Sequence, residues 1–264
     1  MSVNSKMTAI ADEIRAVTGG TEPLTLDDMA ENVPKVYEAG KKSEYDAFWD
    51  TYQQNGERTS YACGFAGTGW NEHTLKPKYD IKPTTAYGMF WYLDGGANID
   101  LVKIAEEQGI EFDFSNCANF NYFSYASGVV RLGVIDTRSV NGFGQFVASN
   151  GTLHTIEKLI LRDDGSQKID NNTWFLPSNS TFRNITIEGK LGGSVRCVCA
   201  NMTKASLTSF LTALYDGSEG KTLTLSKTAV NREFETAADL KDGVSSAEWK
   251  ALVEAKPNWT ISLV

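Results

Sequence analysis

The sequence predicts an α+β repeat protein: an N-terminal helical segment, then an irregular parallel β solenoid closed by a helical C-terminal cap. Three observations predict it. Short apolar runs of strand type recur through the later part of the chain, several alternating apolar and polar so that one face is dry and the other wet. Successive runs start about 20 to 38 residues apart, the spacing of stacked coils. The opening residues carry apolar side chains at helical spacing instead.

Residues 1–56 form the helical part. Met7, Ile10, Ala11, Ile14 and Val17 mark one face of a helix over residues 3–17, stopped by Gly19-Gly20. Thr25 is placed as the N-cap of a second helix, with Asp27 and Asp28 suited to its positive end. Pro34 is expected to kink or restart that helix. From residue 35 to 54 the spacing is helical again, and Tyr45, Phe48, Trp49 and Tyr52 form an aromatic stripe. So short a segment cannot bury such a stripe alone, so the stripe is expected either to pack on the following domain or to meet copies of itself as an attachment or oligomerisation surface. The repeat is too short to fix an oligomeric state.

Residues 57–98 are rich in Gly and aromatics, with Lys76-Pro77 and Lys82-Pro83 bracketing Tyr79-Asp80-Ile81 as a candidate edge strand. They are expected to be a β-rich linker or an entry cap that shields the first coil. Residues 99–264 form the repeat region. Residues 99–108 read as a short helix ended by Gly109. Strand runs follow at 111–114, 131–135, 157–161, 184–187, 222–225 and 259–263. Phenylalanines recur between them at Phe120, Phe123, Phe143, Phe146, Phe175 and Phe182. Leu207, Phe210, Leu211 and Leu214 mark a helix over 203–215. Ser245 with Glu248 reads as the capping box of another, buried through Trp249, Leu252 and Val253.

Composition narrows the function. With 41% apolar and 11% aromatic residues over 264 positions the chain has material for a core, so disorder is excluded for most of its length. The net charge of −8 argues against a nucleic-acid backbone or an anionic membrane as partner. The N-terminus has no apolar signal core and no later run approaches a membrane span, so synthesis in a cytoplasm without a signal peptide is expected. Cys63, Cys117, Cys197 and Cys199 fit reduced thiols, and two isolated histidines make a metal site unexpected. No cofactor is expected.

Alternation along the strands assigns an open, solvent-facing surface to Glu111, Asp113, Arg131, Ile135, Lys158, Ile160, Arg162, Thr186, Glu188, Thr224, Ser226, Thr260 and Ser262. Its charged members, together with Thr186, are the candidate ligand-binding residues, against the alternative of an ordinary solvated sheet face. Tyr122 and Tyr125 join them, because aromatic faces suit the C–H surfaces of sugars. Phe120 and Phe123 are placed in the core beneath, and Trp70, Trp91 and Tyr92 in cap packing. No catalytic residues are expected. Glu111, Asp113 and Glu188 would have to straddle a cleft to cleave a glycan.

The run Phe112-Asp113-Phe114-Ser115-Asn116-Cys117 and the later Leu-rich strands resemble BspA-like leucine-rich repeats. In those repeats an L-x-L strand is followed by Asn or Cys and a phenylalanine-bearing return. Met202-Thr203-Lys204-Ala205-Ser206-Leu207, Leu223-Thr224-Leu225-Ser226-Lys227 and Asn258-Trp259-Thr260-Ile261 are similar to the closing part of leucine-rich-repeat proteins of phages and prophages of gut Firmicutes. The opening Ile10-Ala11-Asp12-Glu13-Ile14-Arg15, Thr18-Gly19-Gly20 and Leu24-Thr25-Leu26-Asp27-Asp28-Met29 look like the helical module of proteins from the same neighbourhood. Coil length varies here, and several Leu and Cys positions of the repeat are absent.

The resemblance implies a virion protein of the tail, of tail-fibre or receptor-binding type. Its partners would be a host cell-surface glycan or protein and other tail proteins, and it would be a homo-oligomer, with a trimer the family-level expectation. A purely structural tail or baseplate component is the alternative, and a glycan-cleaving enzyme the third reading.

Overall fold

All strand pairing among the described residues is parallel. The computed structural model describes residues 3–67, 69–94, 96–140, 142–169, 181–234 and 246–264. The fold is mixed α/β, with parallel sheets and six α-helices among those residues. The chain divides into two units, Met1–Gly56 and Glu57–Val264.

In the first unit the helical spacing yields α1 (Val3–Thr18) and α2 (Leu26–Tyr52). Ala11 and Ile14 of α1 are buried. Gly19, at φ 71°, closes α1 by donating its N–H to the Arg15 carbonyl at 2.9 Å. Thr25 caps α2 reciprocally: its N–H reaches Asp28 Oδ2 at 2.7 Å, and Asp28 N–H reaches Thr25 Oγ1 at 3.1 Å. The helix does not restart at Pro34; α2 runs through it. Proline removes one backbone hydrogen bond, and here the capping box and the length of helix on either side carry the helix across it.

The second unit contains β1 (Ile99–Asp100), β2 (Val129–Asp136), β3 (Gly142–Phe143), β4 (Thr155–Ile160), β5 (Lys168–Ile169), β6 (Asn184–Glu188), β7 (Val195–Cys197), β8 (Lys221–Leu225) and β9 (Trp259–Leu263). Its helices are α3 (Leu101–Gln108), α4 (Lys204–Ala213), α5 (Lys227–Glu233) and α6 (Ala247–Glu254). The sheets run β1-β2-β4-β6, β3-β5 and β7-β8-β9, so within each sheet every strand lies beside its predecessor.

The segments that precede the strands form a second ladder, which the sequence reading did not foresee. Cys63 N–H bonds to the Tyr87 carbonyl at 2.8 Å, Gly88 N–H to Asn121 at 2.9 Å, and Tyr122 N–H to Gly144 at 3.3 Å. Four residues further on, Gly67 N–H bonds to Trp91, Tyr92 N–H to Tyr125, and Ala126 N–H to Ala148, at 3.0 to 3.2 Å. These bonds align four rungs of the backbone. Each rung turns at two left-handed positions: Cys63, Gly88, Tyr122 and Gln145 at the first, Gly67, Tyr92, Ala126 and Ser149 at the second, with φ from 47° to 93°. Residues 57–98 therefore contribute two of these rungs.

Inside the rungs stand Phe65, Phe90, Phe123 and Phe146, all buried, with successive centroids 5.3 to 5.5 Å apart. Phe120 is buried as expected, and Phe182 is buried as well. Phe175 and the side chain of Phe143 lie outside the described residues.

Several local expectations change. The run 111–114 makes only a single bridge, Phe112 to Ile81, which is also all that remains of the candidate edge strand at 79–81. Residues 99–108 begin as a strand, and α3 starts at Leu101 under the cap of Asp100, whose Oδ1 accepts the N–H groups of Val102 and Lys103 at 3.0 Å. The α6 cap is Ser246, bonded to Trp249 N–H at 3.1 Å, while Ser245 lies outside the described residues. Cys197 and Cys199 point to the same side, buried and unbridged with Sγ atoms 3.7 Å apart, and Met202 Sδ is 3.4 Å from Cys197.

The exposed edge that β6 would present to solvent is covered by α4. Ile185 N–H donates to Ser206 Oγ at 2.9 Å, and Ile187 N–H to Ser209 Oγ at 2.7 Å. Ser206 is itself buried and donates to the Arg183 carbonyl at 3.0 Å. Ser206→Ala leaves a buried strand amide without an acceptor and is expected to lower stability by about 1–3 kcal/mol. A denaturant titration with unchanged slope and a lower midpoint is the expected readout.

Candidate functional site

Two surfaces of the second unit bring predicted site residues together. The first is the outer face of the β1-β2-β4-β6 sheet. Arg131 lies opposite Thr155, which in turn lies opposite Asn184, and the guanidinium bridges strands by pairing with Glu157 on β4 and with Asp100 at the end of β1 at 3.8 Å. Lys158 reaches Glu188 on β6 at 3.1 Å, with exposed Thr186 on the same strand. Glu157 and Asp100 were not read from the sequence as part of this face. Their signal was the cross-strand register, which periodicity alone does not supply.

The other members of the predicted face are distributed differently. Glu111 and Asp113 lie off this sheet, in the segment bridged to Ile81. Glu111 sits 3.8 Å from Lys82, and Asp113 Oδ1 accepts Ser115 N–H at 2.9 Å to close a turn. Arg162 follows β4 and donates its Nε to the Arg138 carbonyl at 2.8 Å. Ile135 and Ser226 are buried, not open. In β2 the buried apolar residues Val129, Leu132 and Ile135 are spaced by three, and the β4–β6 register shifts between Ile156 and Leu159, so strict alternation fails there.

Beside this face, α3, the 110–114 segment and β2 enclose a groove of about 270 Å³. Val102, Ala105, Phe112, Phe114 and Val134 give it apolar walls, and Glu106 and Glu111 add carboxylates.

The second surface is aromatic. Tyr122 and Tyr125, predicted to show at the surface, are joined by Tyr87, Trp91 and Tyr92 from the preceding rung. Trp91 stacks between Tyr92, at 5.1 Å and 21°, and Tyr122, at 5.5 Å and 27°. Tyr87 meets Tyr122 edge-on at 5.7 Å, and Tyr125 stands across both Tyr122 and Tyr92. Tyr92 is 58% exposed, so it is not the cap-packing residue expected from the sequence.

In the first unit, the predicted attachment stripe forms one ring cluster along α2. Phe48 stacks on Tyr52 at 5.7 Å, and Trp49 meets Phe48, Tyr52 and Tyr45 at 5.3, 5.5 and 6.3 Å. Trp49 is buried, while Phe48 is 47% exposed.

The ionisable groups behave as ion-pair and turn-capping partners. Burial raises the Asp136 carboxyl, but the hydrogen bonds and charge of Arg138, 2.6 Å away, outweigh it and hold the group below the usual range. Lys82 does the same for Asp80 and Lys256 for Asp216, at 3.0 and 2.6 Å. A carboxyl with a lowered folded-state pKa stabilises the fold above its unfolded value, about 3.9 for Asp, and that stability is lost as pH falls through the folded value. The melting temperature is thus expected to hold from about pH 5 upward and to fall below about pH 4. Asp136→Asn should reduce that acid sensitivity.

Comparison with protein-family models, with curated proteins and with solved structures finds no match. Among the described residues no helix is long and apolar enough to cross a membrane. Nor do any three of the described His, Cys, Asp and Glu side chains come together as a metal-binding group.

Proposed function

We propose that this chain is a phage or prophage tail-associated binding protein, in which a leucine-rich-repeat-like parallel β solenoid presents a surface for recognising a host cell-surface glycan or protein. The observation that carries the reading is the consecutive parallel order of the strands together with the four-rung ladder that precedes them. Coils laid one on the next produce an extended face whose side chains are free of the core, the usual basis of binding by solenoids. The sheet face and the aromatic cluster are the two candidate surfaces for such binding. Among the described residues, every carboxyl group with a clearly displaced pKa is displaced downward, which suits ion pairing and not proton donation in glycan cleavage.

A second reading, a structural tail component, is favoured by the first unit. Most of the large apolar side chains exposed among the described residues lie on α1 and α2: Ile10, Val17, Leu26, Val33, Tyr37 and Phe48. Such surface is suited to attachment or to a homo-oligomer, for which a trimer remains the proposal. The two readings separate on intact cells. Labelled full-length protein incubated with a panel of gut Firmicutes strains should be retained saturably by a few of them. Retention by none, with the protein folded and oligomeric, would move the assignment to the structural component.

A further inference from the structure

Tyrosine is a costly choice at position 92. The second left-handed position of the neighbouring rungs holds Gly67, Ala126 and Ser149, whereas this rung places a full aromatic side chain there at φ 53°. Side chains larger than glycine are disfavoured in that conformation. The strain fixes where the ring points. Its neighbours fix the rest: Trp91 lies parallel beneath it at 5.1 Å, and the Tyr125 ring rises beside it at 6.1 Å and 89°. Tyr125 is in turn held by Tyr122 at 5.6 Å. The result is a rigid right-angled corner, with the exposed Tyr92 ring as floor and Tyr125 as wall.

We propose that this corner is a saccharide subsite that takes one pyranose ring, its axial C–H face stacked on Tyr92 and its edge against Tyr125. This rests on the recognition reading above and names the class of ligand. An aromatic face carries partial negative charge and attracts polarised C–H groups, and a ring already stacked and fixed loses little freedom on binding. The footprint also selects a sugar over a protein surface. In the second unit the exposed large apolar side chains among the described residues are Tyr92, Val134 and Val264, each from a different element or loop. A protein interface of ordinary size needs a contiguous buried apolar centre of many residues, whereas one pyranose needs one floor and one wall.

The test uses the full chain and a strain that retains it. Wall polysaccharide extracted from that strain and freed of protein by protease should compete with the cells for the protein, and its addition should change the tryptophan fluorescence. Tyr92→Asn, which the left-handed backbone tolerates, and Tyr125→Ala should each weaken polysaccharide binding by about tenfold, the loss of roughly one stacking contact. Tyr92→Phe should stay within about threefold, because it keeps the ring. Two results overturn the subsite. In one, the polysaccharide fails to compete while trypsin treatment of the cells abolishes binding, which identifies a protein receptor. In the other, Tyr92→Asn and Tyr125→Ala bind as the native chain does. Either would leave the recognition reading standing, whereas absence of retention by every strain would remove both.

Discussion

Gly128→Ala is expected to destabilise the chain by about 3–5 kcal/mol, at the severe end for a single methyl group. A Cβ at position 128 would stand 1.9 Å from the Asp94 carbonyl oxygen and 2.8 Å from Ala97 Cβ. The obstacle is the backbone at Asp94, so no rotamer change relieves it. The Gly128 carbonyl also accepts the Ile99 N–H at 3.0 Å, which ties the same point into the first strand pair. Relief by separation would break the β1–β2 register and loosen the rung that carries Tyr92. Urea denaturation should show a large fall in midpoint, and a midpoint within experimental error of the native chain would contradict this close approach of Gly128 to Asp94.

Phe123→Ala is the second large effect, expected at about 3–5 kcal/mol. Phe123 is fully buried and meets Phe90, Phe114, Phe120 and Phe146 at centroid distances of 5.3 to 5.5 Å. Removing it opens a cavity walled by rigid rings that cannot collapse into the space, and it removes edge-to-face and stacked pairs as well. Phe123→Leu should recover part of the loss, because it restores volume without the ring pairing. A cost under about 1 kcal/mol for Phe123→Ala would mean that the ring column is not the core of this region.

Much of the strand framework was legible because it rests on side-chain pattern. The runs around Leu132, Leu159, Ile187, Leu223 and Ile261 all became strands, Thr25 began α2, and Gly19 and Gly109 ended α1 and α3 where their chemistry directs. What escaped was carried by the backbone. Cys63, Tyr92, Tyr122, Ala126, Gln145 and Ser149 adopt positive φ although none is a residue type that signals a turn of that hand. The four-rung ladder was therefore visible in the sequence only as paired aromatics, and residues 57–98 read as a separate cap. α5 was missed because Lys227–Glu233 offers a single turn or so of apolar spacing, at Ala229 and Val230.

The candidate site divided along the same line. Arg131, Lys158, Thr186 and Glu188 followed from alternation, but their partners Asp100 and Glu157 depend on register. Tyr122 and Tyr125 were identified as surface aromatics, but the ring that completes the corner with Tyr125 comes from the neighbouring rung. Ile135 was misassigned because β2 buries every third residue over Val129, Leu132 and Ile135, a spacing outside the period of two used to read strands.

The most direct test of the central claim compares the full chain with residues 57–264 on a strain that retains the full chain. If the stacked coils are the recognition surface, the shorter protein binds the same sites at saturation with weaker apparent affinity, because it lacks the avidity contributed by the first unit. If residues 57–264 fold yet show no saturable binding while residues 1–56 alone are retained, recognition does not reside in the coils and the account is wrong.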